Sequence, residues 1–260
     1  MQNNLNHLID ESINFIKETC KDEKPLVRTS GGKDSIVITH LMKLSEISFE
    51  LQSTLTGIDP PIMIKFLKKN YPECSFVRPK KSFWDLILTT NPPAGTGRGI
   101  KWCCTKIKEE PSKKNPIKTR ILGIRAEESP NRAKYGCTNY FQKTEEIHHY
   151  PIFGWRTNHL WEFIKKYNLP YPKLYDQGFT RIGCVVCPNH SGNHWQYQKR
   201  WPNHFKCFEK YVTQWWHKRQ NQGKEMYHKS PEDFLKDWYI GNFYYYKYKI
   251  NRGKIMEFKL

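Results

Sequence analysis

Two groups of residues in this chain have the types and spacing to do chemistry. The first is the run Ser30-Gly31-Gly32-Lys33-Asp34-Ser35. Adjacent glycines let the backbone adopt conformations closed to other residues and approach an anion closely. Ser30 and Ser35 add hydroxyl donors, and Lys33 adds a positive charge. Asp34 has two readings: an acceptor that stabilises the loop, or a carboxylate that holds Mg2+ against phosphates. Leu26 and Val27 precede the run and read as the end of a buried strand. Ile36, Val37, His40, Leu41 and Leu44 follow it at helical spacing. A helix that starts at such a turn aims free N–H groups and the positive end of its dipole into it. Strand, glycine turn and helix make a phosphate cradle. It is not the Walker loop, which needs four residues between its first glycine and Gly-Lys-[Ser/Thr].

The second group is cysteine. The chain has 8 cysteines, and four stand in two close pairs, Cys103-Cys104 and Cys184-x-x-Cys187. Cys20, Cys74, Cys137 and Cys207 are scattered. A disulfide framework is not the expectation for a cytoplasmic chain. Four thiolates in two pairs suit tetrahedral zinc or a cubane [4Fe-4S] cluster. An adjacent Cys-Cys is awkward for chelating one ion, whereas a cubane presents separate irons; spacing alone does not choose.

Alternating helical patterns and short β-rich runs must position these residues. They predict an α/β fold: an open, mostly parallel sheet with helices on both faces. The expected elements are helices over 4–20, 62–70, 83–88, 106–110 and 158–167, and strands over 49–56, 75–78 and 119–124. Thr157 is the expected N-cap of the last helix. Residues 91–99 read as a loop. The turn Thr56-Gly57-Ile58-Asp59 follows a strand, where ligands bind in open parallel sheets. Beyond Pro188 the composition shifts to aromatics interleaved with Lys and Arg. The expected division is a nucleotide-binding domain over 1–188, carrying the cysteines, and a basic, aromatic appendage over 189–260, helical over 190–220 and irregular after that.

The bulk numbers bound the function. The 260 residues suffice for one large α/β domain with an appendage. No apolar run approaches the roughly 20 residues of a membrane helix, and no signal-peptide pattern opens the chain. The expectation is a soluble cytoplasmic protein. A net charge of +18 favours polyanionic partners. Cationic residues that follow phosphates, with Trp and Tyr stacking on unpaired bases, make the C-terminal region a candidate for DNA or tRNA contact. The alternative is a helical appendage whose aromatics are core.

The hexad Ser30–Ser35 resembles the pyrophosphate loop (PP-loop) of the adenine-nucleotide α-hydrolase superfamily, which includes ATP pyrophosphatases and the APS and PAPS (sulfonucleotide) reductases. Trp102-Cys103-Cys104, followed by Lys106 and Lys108, is similar to the first half of the cluster signature in the APS-reducing type. Leu174-Tyr175-Asp176-Gln177-Gly178-Phe179-Thr180-Arg181-Ile182-Gly183-Cys184 is similar to its second half. The resemblance implies a [4Fe-4S] cluster on Cys103, Cys104, Cys184 and Cys187, with zinc as the alternative. Gly123-Ile-Arg125-Ala-Glu127-Glu128-Ser129-Pro-Asn-Arg132 resembles the family's anion pocket. Arg125 at a strand end can fork onto phosphate or sulfate oxygens. Thr56-Gly57 matches part of a family Asp-Thr-Gly. The implied nucleotide contacts are therefore Ser30, Gly31, Gly32, Lys33, Asp34, Ser35, Thr56, Gly57, Gly123, Arg125, Ser129 and Arg132. Lys33, Asp34 and Arg125 carry the chemistry, and Lys33 neutralises charge on the leaving group.

The resemblance covers residues 25–190. Sulfonucleotide reductases attack sulfate with a cysteine in a C-terminal Glu-Cys-Gly-Leu-His tail. Here the last cysteine is Cys207, in a helical pattern where a packed thiol is expected. Three functions follow. One is an enzyme that splits ATP, with Mg2+, adenylates an acceptor and transfers sulfur from a donor protein. Another is an APS or PAPS reductase with an outside reductant protein. The last is a non-catalytic nucleotide- or nucleic-acid-binding module.

Overall fold

The computed structural model describes residues 2–93, 102–190, 194–226 and 228–240. In chain order the elements are α1 (Gln2–Cys20), β1 (Leu26–Arg28), α2 (Lys33–Leu44), β2 (Glu50–Thr54), α3 (Pro61–Asn70), β3 (Ser75–Val77) and α4 (Phe83–Thr89). A π-helical stretch (Cys104–Glu109) then runs into α5 (Glu110–Ser112). β4 (Thr119–Ile121), β5 (Thr138–Phe141), β6 (Glu146–His149), α6 (Thr157–Lys166), α7 (His194–Arg200), α8 (Pro202–Asn221) and α9 (Pro231–Ile240) follow. No helix among the described residues is long and apolar enough to cross a membrane.

Six strands form one sheet in the order β3-β2-β1-β4-β6-β5. All neighbours are parallel except β5, which runs antiparallel to β6. Leu26 and Val27 on the central strand β1 have no exposed surface, as a parallel strand covered on both faces requires. Register pairs Val27 with Leu51 on one side and Ile121 on the other. The consecutive apolar residues Ile36, Val37 and Ile38 of α2 are all buried, since α2 packs against both α1 and α6. The layered, mostly parallel α/β fold is the one expected.

The chain divides into two compact units. One takes in residues 1–55, 61–77 and 112–182, with the sheet; the other takes in 56–60, 78–111 and 183–260. This differs from a cut after residue 188. Both cysteine pairs lie in the unit of the C-terminal helices, where Phe83 and Trp102 share an aromatic layer with α8 and α9. The Phe83 ring centroid lies 5.7 Å from Trp102 and 6.4 Å from Phe208, and Phe208 lies 4.4 Å from Trp238.

Other expectations need correction. The helix expected over 190–220 is two helices broken at Trp201-Pro202, where proline starts α8. Residues 231–240 form α9 rather than an irregular tail. Of the two readings of the C-terminal aromatics, core holds for Phe205, Phe208, Trp215, Trp216 and Trp238, which are buried, while Tyr211 and Tyr239 are part-exposed. The buried five are closed to base stacking. Thr157 is the first residue of α6, not its cap. The β5–β6 hairpin was not expected. Residues 94–99 of the expected loop, Lys101, and the aromatic run after Ile240 lie outside the described residues.

Candidate functional site

The phosphate-loop residues lie in the sheet unit, at the exit of β1. Gly31 has φ +73°, and a Cβ there would sit 3.1 Å from Leu67 Cγ and 3.2 Å from Met63 Cε. Both the backbone conformation and the space demand glycine. Gly32 is extended and precedes α2 without a side-chain cap. The loop's N–H groups meet hydroxyl oxygens instead. Gly31 N donates to Thr29 Oγ1 at 3.2 Å and Gly32 N to Ser30 Oγ at 3.4 Å. Lys33 N donates to Tyr175 Oη at 2.9 Å. Ser35 Oγ accepts from Ser30 N at 3.3 Å and donates to Gly32 O at 2.9 Å.

Three charged side chains meet at the first turn of α2. Arg125 Nε donates to Asp34 Oδ1 at 2.6 Å. Lys33 Nζ lies 3.4 Å from Asp34 Oδ2 and donates to the Thr180 carbonyl at 3.3 Å. Lys33 and Arg125 are 7% and 3% exposed, so both cations are held away from water by their partners. Burial opposes the Arg125 charge, and Asp34 and Glu127 outweigh that and raise its pKa. Gly123 shows why this turn stays tight: a Cβ there would lie 3.1 Å from the Asp34 carbonyl carbon.

Arg125, read from the sequence as able to fork onto phosphate or sulfate, holds a carboxylate here. Its Nη1 also bonds Glu127 and the Trp155 carbonyl. Glu127 in turn accepts from the hydroxyl and the N–H of Thr157, each at 2.9 Å. The Thr157 hydroxyl first, and then Arg125, outweigh burial and hold the Glu127 carboxyl below its ordinary range. Ser129 and Arg132 stay within their own turn. Arg132 N donates to Ser129 Oγ at 3.2 Å, and its guanidinium pairs with Glu128, whose carboxylate also takes Arg125 N at 3.1 Å.

The cysteine site lies in the other unit. Cys103, at the head of the π-helical stretch, is raised by a hydrogen bond with Cys104, then by burial and the charges of Cys104, Cys187 and Cys184. Burial and then Cys184 raise Cys187. All four thiols thus interact. Lys108 stands among them; Cys184 chiefly, then Cys187 and Cys104, raise its pKa against burial. The π-helical bond from Glu110 N to Thr105 O widens this turn, a device often found at functional sites. Thr56 is also here, with Oγ1 3.7 Å from Cys184 Sγ. Gly57 is left-handed, at φ +81°. Among the described residues no three His, Cys, Asp or Glu side chains are grouped to hold a single metal ion. The chemistry of the donor set, the thiols of Cys103, Cys104, Cys184 and Cys187 with the Lys108 ammonium among them, fits an anionic iron–sulfur cluster.

The sequence model of the phosphoadenosine phosphosulfate reductase domain matches residues 24–190. The chain belongs to that family. The match takes in the phosphate loop, the Arg125 turn and both cysteine pairs, and ends before α7. The adenosine 5'-phosphosulfate reductase of Oceanobacillus iheyensis is 36% identical over 208 residues, which cover 67% of this chain and 84% of that protein. An uncharacterized protein of Methanocaldococcus jannaschii is 33% identical over 193 residues, 68% of this chain and 39% of its own length. Against four of the curated relatives the chain spans only 39–56% of their length. The fold is similar to a phosphoadenylyl-sulfate reductase of Candida auris solved with phosphate. The TM-score is 0.53 at 16% identity, covering 71% of this chain and 95% of that one.

Within the family region, the sequence did not mark Tyr175 as a partner of the loop or Glu127 as a partner of Arg125. Tyr175 stood in the quoted signature, but nothing local marks its hydroxyl as a partner of Lys33, 142 residues away. Glu127 was quoted in the Arg125 turn without a role.

Proposed function

We propose that this chain is a nucleotide-activating member of its family: it splits ATP between the α and β phosphates and adenylates an acceptor. The supporting observation is Asp34, held from one side by Arg125 and from the other by Lys33 at the first turn of α2. A carboxylate fixed at a phosphate-binding turn is what a Mg2+–phosphate complex uses, with the substrate supplying the other oxygens. Asp34 is the residue that would hold Mg2+, and Arg125 is the residue that aims it.

The acceptor's nucleophilic atom bonds to the α-phosphorus as the bond to the bridging oxygen breaks, and pyrophosphate leaves. The N–H groups of Gly31, Gly32 and Lys33 bind phosphate oxygens in place of the hydroxyls they now meet. The Lys33 ammonium balances the charge that grows on the departing pyrophosphate. Cys103, Cys104, Cys184 and Cys187 would hold a [4Fe-4S] cluster, which when bound supplies sulfur-transfer chemistry. The acceptor is nucleic acid, in keeping with the net charge of +18.

A second reading, a sulfonucleotide reductase releasing sulfite, is favoured by the relatives that carry that name. It needs a cysteine nucleophile. Cys207 is a poor one: it is half-covered on α8 and burial raises its pKa.

Anaerobically purified protein incubated with Mg-ATP and RNA or DNA should release pyrophosphate, and Asp34→Ala should abolish that release. Sulfite from APS or PAPS plus a thiol reductant, with no pyrophosphate from ATP, would establish the second reading instead.

A further inference from the structure

Two buried histidines grip the backbone of the Cys184-x-x-Cys187 pair. His190 and His194 are 8% and 4% exposed. His190 Nε2 donates to the Cys184 carbonyl at 2.9 Å. Its ring stacks on Tyr197 with centroids 3.9 Å apart and lies against Gly183. The same peptide is held at its other end, where Val185 N donates to the Ile58 carbonyl at 2.7 Å. The Cys187 carbonyl accepts twice, from His190 N at 3.1 Å and from His194 Nε2 at 3.0 Å. His194 Nδ1 faces the Tyr239 carbonyl at 3.1 Å, and its ring packs 4.6 Å from Trp238. His194 thus ties Cys187 to α9, and it lies beyond the residues matched by the family.

We propose that His190 and His194 are positioning residues for an iron–sulfur cluster, fixing the peptides that carry two of its thiolates. This rests on the reading of the four cysteines as cluster ligands. The physical case is one of rigidity. A thiolate on a loose turn can leave iron and return in many orientations, whereas one whose peptide is bonded at both ends has few. Groups that orient metal ligands from behind typically matter by about 10–100-fold in metal affinity. Hydrogen bonding around the ligands also tunes the reduction potential of such clusters.

The test uses the full chain reconstituted anaerobically with iron and sulfide. His190→Leu and His194→Leu remove the donor at similar volume. His190→Gln and His194→Gln return an N–H near the Nε2 position. Iron loss to a chelator, the EPR spectrum of the reduced cluster and its midpoint potential are compared. The Leu variants should release iron about 10-fold faster or more, with a shifted potential and altered EPR spectrum, and the Gln variants should return toward wild type. Unchanged release and spectra in the Leu variants would overturn the proposal. So would Gln variants that fail to recover. Should a Leu variant not fold, the Gln variant is compared with Asn, whose amide reaches the Nδ1 position; equal behaviour of the two would overturn it. A wild-type chain that takes up no cluster removes the underlying reading in the control arm, before any variant is compared.

Discussion

The two units build their sites in opposite ways. The phosphate loop is a local object: six consecutive residues, two adjacent glycines and the start of one helix define it. Distant residues such as Arg125 and Tyr175 refine it. The cysteine site has no local core. Its described residues come from 56–60, 102–108, 183–190 and His194, in the unit where α4 packs on α8 and α8 on α9. The lesson is that backbone geometry can be specified by a motif, whereas a convergence of side chains must be specified by a whole core. The first should fail through single atoms in the loop and the second through remote packing.

Phe208→Ala tests that contrast most severely. Phe208 is fully buried between Phe83 and Trp238, and truncating a buried Phe costs about 3–5 kcal/mol. Denaturant melts should show that loss, and the variant should retain less iron after reconstitution although it touches no cysteine. Lys33→Ala should do the reverse, lowering pyrophosphate release by about 100-fold or more while leaving the melt near wild type. If Phe208→Ala spares iron uptake, the cysteine site is more local than its construction implies.

Gly123→Ala is a finer probe. The added Cβ meets Asp34 backbone atoms at 3.1–3.2 Å, and overpacking of this kind costs about 1–3 kcal/mol. Pyrophosphate release should fall by more than the melt alone accounts for, because Asp34 is the group displaced. A variant as active as wild type would show that Asp34 does not need its present position.

The smallest effect is a pH dependence at the base of the sheet. Glu146 is buried with Arg120, whose Nη2 donates to it at 2.9 Å, and with His148 at 3.0 Å. Burial alone would raise the Glu146 carboxyl; the hydrogen bonds from His148 and Arg120 outweigh it and leave the pKa lowered. A lowered folded value means the contribution is complete above the unfolded carboxylate pKa of about 4.3. It is lost as pH falls through the folded value. Melting temperature measured from pH 6 down to 3 should drop more steeply in wild type than in Glu146→Gln. Parallel curves would remove the pair from the acid response.

Legibility followed the same divide. The run of β1, loop and α2 could be read directly, because period and glycine spacing are local signals. The pairing of Arg125 with Asp34 could not, since 91 residues separate them. The β5–β6 hairpin was hidden because Thr138–Phe141 and Glu146–His149 mix polar and aromatic residues without a clean alternation. The start of α9 was in view: Pro231, Glu232 and Asp233 open it, with Phe234 and Trp238 buried. The aromatic richness around it suits base stacking and core packing alike, and composition alone does not separate the two. The two close cysteine pairs suggested a shared group from spacing alone, and the family resemblance favoured a cluster over zinc.

The hydroxyl of Tyr175 on Lys33 N has one more consequence. It gives that N–H a partner tethered to the same chain, 142 residues away. An anion arriving at that N–H performs a substitution, and its apparent affinity is the difference between two bonds. Tethering gives the phenol a high effective concentration, which raises the affinity an incoming group needs to displace it. Only a ligand that engages several loop donors at once outcompetes it. The tyrosine thereby sets a threshold for whatever would take its place at that N–H.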